Sequence, residues 1–217
     1  CMDNLTLFKL NITMRNNAEQ SFHFEALFLA ALAGVLFCAT HLLNGWLLSS
    51  FEISNHISFL YLPSFLRLVN VLVLGMVWGT FGTAIGCLLL LPWSQDSVLM
   101  SLINATASAG CAALAVMLMR FMQKRPLSLA RLSDLLSLAL LYAVLNALIH
   151  HALWSAFDPS QLVNPNQLAF MMLGDLNGAV IGALVLRWLA RHTRLVAFAR
   201  ERASQAPLKD ADSNLKD

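Results

Sequence analysis

In a chain of 217 residues, 58% apolar and 12% charged with a formal net charge of only +2, the balance lies well away from the soluble average of about 45–50% apolar and about 25% charged. An ordinary water-soluble domain is excluded, and no nucleic-acid partner is expected. The few charges collect in short stretches, leaving apolar runs close to the roughly 20 residues that a helix needs to cross a bilayer, so the lipid bilayer is the first partner implied.

Residues 1–22 form a polar amino-terminal segment, followed by a helical membrane domain over 23–191. The first apolar run, residues 24–48, has the length of one span. The next, residues 57–93, is too long for one helix and slightly short for two full ones, with Gly79-Thr80-Phe81-Gly82 placed where a turn would fall. This predicts a tight, glycine-rich helical hairpin, either two short spans or a re-entrant pair, which non-helical backbone allows where protein covers it. Residues 98–122, 132–157 and 167–189 supply three more runs. The fold class is therefore all-α: a polytopic helical membrane protein with about six hydrophobic passes. Residues 192–217 read as a basic helical extension and a disordered polar tail.

Lysine and arginine set the orientation, because cytoplasmic connections carry the excess positive charge. Of the 14 such residues all but Arg67 fall before the first run, around the fourth-to-fifth connection (Arg120, Lys124, Arg125, Arg131) or at and beyond the end of the sixth. The opposite connections, 49–56, 94–97 and 158–166, contain Glu52, Asp96 and Asp158 and no basic residue. Both termini are expected in the cytoplasm. Asn4-Leu5-Thr6 and Asn11-Ile12-Thr13 would then be unused glycosylation sequons.

No phosphate loop, dinucleotide fingerprint, metalloprotease helix or nucleophile elbow is present, and a non-catalytic protein is expected. The informative residues are instead the polar ones inside the runs, since ionisable groups there are costly and tend to be paired or functional. Arg67 and Asp175 are expected to meet. His41, Asn44, Asn70, Asn146 and His150 would join them in one polar cluster if their helices surround a common cavity, and Asn177 would extend it. No two of His41, His150 and His151 have the i, i+4 spacing of a metal pair on one helix face, so neither metal nor cofactor is expected. Cys38, Cys87 and Cys111 read as packing residues. Gly174, Gly178 and Gly182 form an i, i+4 stripe where a neighbouring helix can approach backbone to backbone; Gly79, Gly82 and Gly86 suit the same role in the hairpin. Trp46, Trp93, Trp154 and Trp188 read as interfacial anchors.

The order of these features resembles the first-described membrane-associated sensor domain, a bacterial module found ahead of histidine kinases and diguanylate cyclases. The resemblance runs from about Phe24 to Arg191. It is carried by Leu62-Pro63 at the entry to a hairpin punctuated by Gly75, Gly79, Gly82 and Gly86, by Asn104, by Arg131-Leu132-Ser133-Asp134, and by Gly174-Asp175-x-x-Gly178. Leu62 stands where that family usually has tryptophan, and residues 203–217 are too short a stretch to be a kinase or cyclase. What the resemblance implies is a sensory module of the bacterial inner membrane that binds a small ligand or partner helix and relays to a separate cytoplasmic signalling protein. A small solute-binding transporter component, with Ala26, Ala30, Ala31 and Gly34 as a docking face, and a structural subunit of a membrane complex are the alternatives.

Overall fold

The computed structural model describes residues 4–54, 57–123, 127, 131–158 and 164–192. Five helices dominate: α1 (Asn4–Leu47), α2 (Pro63–Leu89), α3 (Val98–Gln123), α4 (Leu132–Phe157) and α5 (Pro165–His192). Each is long and apolar enough over at least part of its length to cross a membrane, and their outward faces are built from large apolar side chains such as Leu32, Val77, Phe121 and Leu184. So much exposed apolar surface would be a liability in water and is what lipid requires. The protein is a multi-pass helical membrane protein. The segment read as a separate amino-terminal region continues into the first span as one helix from Asn4; the extension and tail expected after His192 lie outside the described residues.

α2 is not one rod. Gly75 has φ 83° and ψ 171°, a conformation open in practice only to glycine, and the chain folds back there. Two contacts prove the reversal: Asn70 Nδ2 donates to Thr83 Oγ1 at 3.2 Å, and a Cβ on Gly79 would collide with the backbone of Asn70 and Val71. In a straight helix residues 70 and 83 would stand about 20 Å apart. The hairpin expected over 57–93 is thus present, with arms at residues 63–74 and 76–89, but its turn is at Gly75 and not at Gly79 to Gly82. Those two glycines and Gly86 serve close approach instead: Gly79 lies against the first arm, Gly82 against Ala30 of α1, and Gly86 against Gly34 and Phe37.

Successive helices pack on one another, and α5 closes the ring by packing on α2. α1 leans on the second arm of the hairpin. Between the first arm, α3, α4 and α5 lies a tight core of mostly small residues, including Val71, Cys111, Ala112, Ala115, Val116 and Ala139.

Before the first arm the chain descends into the bundle without helical structure. Strands β1 (Glu52–Ser54) and β2 (Ile57–Ser58) pair antiparallel, and residues 57–62 then run beside α5. Gly174, nine residues into α5 and hence about 13 Å from its start, has no room for a Cβ because the Ser58 carbonyl occupies it; Gly178 is blocked likewise by Tyr61 and Ser64, and Gly182 by the Phe65 ring. The glycine stripe expected to receive a helix receives mainly an extended segment. Its backbone groups are satisfied one by one: Tyr61 N donates to Gly174 O at 3.1 Å, Asn177 Nδ2 donates to Phe59 O at 3.0 Å, and Leu62 N donates to Asn44 Oδ1 at 2.9 Å. Non-helical backbone persists at this depth because protein completes its hydrogen bonds.

Candidate functional site

The ends of α1 and α4, the starts of α3 and α5 and both ends of the 57–93 segment meet at one end of the bundle, where they enclose a cavity of about 600 Å³. This is the end away from Arg120 and Arg131. Glu52, Gln95 and Asp96 line its mouth, and Phe37, Tyr61, His150, Trp154 and Met171 its walls. The volume is in the usual range for a small-molecule site.

Arg67 and Asp175 line the inner part, and both are almost fully buried. Pro63 starts the first arm, and Arg67 follows one turn later. Its Nη1 donates to the Tyr142 hydroxyl at 2.8 Å and to Asn146 Oδ1 at 3.4 Å, while Nη2 donates to the Tyr61 hydroxyl at 3.1 Å. Both tyrosines of the chain therefore serve this one arginine. The Phe37 and Tyr61 rings flank the guanidinium, with centroids 5.4 Å and 5.1 Å from its carbon, an arrangement that attracts a cation to each ring face. Nε has no hydrogen-bond partner among the described residues.

Arg67 and Asp175 are linked through Asn146 rather than by the direct contact expected. Asn146 accepts from Arg67 and donates from Nδ2 to Asp175 Oδ2 at 2.6 Å. The reason lies in α4: its Tyr142, Asn146, His150 and Trp154 recur every fourth residue, so one polar stripe of that helix reaches both Arg67 on the first arm and Asp175 on α5. The network extends both ways. Tyr61, accepting from Arg67, has its hydroxyl hydrogen left for Nδ1 of His41, 2.8 Å away. His150 donates from Nδ1 to the Asn146 carbonyl at 2.9 Å, which leaves Nε2 to accept from Ser108 Oγ at 3.3 Å. Nearer the mouth, Trp154 Nε1 donates to Asn104 Oδ1 at 2.7 Å, and Asn104 donates to Asp96 at 3.2 Å.

Of the residues singled out in the sequence, His41, Asn44, Arg67, Asn146, His150 and Asp175 all line this cavity. Asn70 does not: it ties the two hairpin arms together. Asn177 holds the extended segment by the Phe59 carbonyl. Trp154, expected at the lipid interface, is buried, whereas Trp46, Trp93 and Trp188 are more than half exposed. Tyr61, Tyr142, Ser108 and Asn104 were missed as members of the cluster; the i, i+4 stripe from Tyr142 to Trp154 was the signal that would have found one of them. No group of histidine, cysteine and acidic residues suited to a metal ion occurs among the described residues.

No protein-family model matches the chain, nor does any curated protein or solved structure.

Proposed function

We propose that this chain is a non-catalytic sensory or accessory module of the bacterial inner membrane: a small molecule enters the cavity from the extracytoplasmic side, and α5 relays its presence to a cytoplasmic signalling protein. The observation that carries the proposal is the cavity itself, a solvent-open space whose inner wall holds a buried arginine and a buried carboxylate on two different elements. Packing alone rarely requires ionisable groups at that depth. The distribution of lysine and arginine supports the direction of entry, because the cavity opens at the end without them. α5 supports the relay: Asp175 faces the cavity network, its backbone carbonyl accepts from Ser64 at 2.8 Å, and the same helix continues toward the basic residues after Arg187. The pattern Gly174-Asp175-x-x-Gly178, through which the chain resembles a sensor module, is the part of α5 that meets both the cavity and the extended segment.

The solute-binding transporter alternative shares the cavity, but half of the docking face it needs is already taken up inside the chain. Ala30 and Gly34 are covered by the second hairpin arm, whereas Ala26 and Ala31 are partly exposed.

Native mass spectrometry of the protein released from mild detergent tests the proposal, comparing wild type with Asp175→Asn. The expected result is a small-molecule adduct that the substitution removes, together with a cytoplasmic protein partner lost on truncation after Arg191. A retained protein partner with no adduct in wild type would reduce the cavity to a packing feature and favour a structural subunit.

A further inference from the structure

Arg67 carries its charge in an unusual setting. It is 5% exposed, yet every hydrogen bond it makes ends on a neutral oxygen: two phenol hydroxyls and an amide. The carboxylate of its network, Asp175, is held one residue away behind Asn146. Asp96 is farther still, at the level of Trp154, which is eight residues along α4 from Asn146 and so about 12 Å nearer the mouth. A guanidinium in a low-dielectric surrounding without a direct counter-ion gains strongly from any anion that reaches it.

We propose that the ligand of this cavity is a small organic acid, with one carboxylate received by Arg67 and an aromatic or aliphatic body lying among the cavity's apolar walls. The proposal rests on the receptor reading above and adds the ligand class to it. Arginine presents N–H groups in a rigid fork that matches the two oxygens of a carboxylate. Nε has no partner, and Nη2, on the same edge of the guanidinium, has two N–H groups, of which Tyr61 takes one. Phe37, Leu42, Leu48, Leu91 and Met171 supply apolar wall, and Tyr61 and Trp154 aromatic wall.

The rest of the site argues for one negative charge and against two. A dianion such as a phosphate ester would have to pass Glu52 and Asp96 at the mouth, where the described loops hold no basic residue, and would then lie near Asp175. Like charges so placed in a poorly solvated space repel over longer distances than in water.

The test uses the full wild-type chain in lipid nanodiscs, with thermal unfolding and tryptophan fluorescence followed during titration. The probes are benzoate, phenylacetate and hexanoate, each beside its primary amide, with phenyl phosphate as the dianion. Saturable stabilisation by at least one acid is expected, its amide and phenyl phosphate binding weaker by about tenfold or more. Arg67→Gln is expected to erase the preference for acid over amide; should that variant fail to fold, Arg67→Lys, which keeps the charge and loses the fork, is expected to diminish it. Amides that bind as tightly as their acids, or a preference unchanged in Arg67→Gln, would overturn the ligand class. If no acid binds while native mass spectrometry finds an Asp175-dependent adduct, the class is wrong and the receptor reading stands. If neither binding nor adduct is found, both fall.

Discussion

The same four elements, the hairpin with α3, α4 and α5, are closed at one end of the bundle and open at the other. Toward the basic end, Ala112 and Ala115 of α3 meet Leu138 and Ala139 of α4 and Leu68 and Val71 of the first arm, all buried. Toward the mouth the facing positions are Ser108, Asn146, His150 and Arg67, and a cavity lies among them. These four elements are helical at both ends, the extended segment 57–62 entering only at the mouth, and along them it is side-chain size and polarity that change. In lipid the driving force for association comes from close packing and interhelical hydrogen bonds; the alanine-rich end uses the first and the mouth end the second. Tyr142 stands on the border, with its ring in the core and its hydroxyl on Arg67.

Three substitutions test this division, in order of expected effect. Gly178→Val drives a branched side chain into the Tyr61 carbonyl and Ser64, a backbone collision that neither end can relax; folded protein recovered by size-exclusion chromatography is expected to be all but lost. Arg67→Met removes the centre of the polar end and leaves Asp175 without a cation in its network, which should cost about 3–5 kcal/mol. If the open end depends on charge balance, adding Asp175→Asn to it will restore much of that stability in a steric-trapping or denaturant titration, and a double mutant no more stable than the single would break the comparison. Tyr142→Phe keeps the ring in the core and deletes only the hydroxyl, so unfolding should shift by about 0.6 kcal/mol, the typical worth of a hydrogen bond between membrane helices. Ligand binding should weaken more than stability does.

Sequence made some of this legible and left the rest hidden for physical reasons. The apolar runs and the segregation of lysine and arginine were plain because lipid imposes them on any spanning chain. The hairpin was visible from the length of residues 57–93, but its turn was misplaced: several glycines punctuate that stretch, and composition does not reveal that Gly75 takes the positive φ while Gly79 and Gly82 accept neighbouring backbone. Polar residues could be enumerated, yet not sorted. Asn146 and Asn70 look alike within their runs; one bridges Arg67 to Asp175 and the other joins the hairpin arms, a distinction set by which element lies opposite. The non-helical descent of residues 57–62 was not foreseen, since an apolar stretch reads as helix unless a partner supplies its missing hydrogen bonds.

That descent also fixes an order of assembly. The backbone of Ser58 to Leu62 depends on Gly174 and Asn177 of α5 and on Asn44 of α1, and Ser64 reaches a carbonyl 111 positions later in the chain. A ribosome that has delivered α1 through α4 into the membrane has therefore delivered a strand in which the Tyr61 amide and the Phe59 carbonyl still lack their partners, a state that apolar surroundings penalise. Until the last helix emerges, this strand must stay at the water boundary or in the shelter of the insertion machinery. The cavity is then completed only when α5 arrives, because Met171 and Asp175 of that helix form part of its wall.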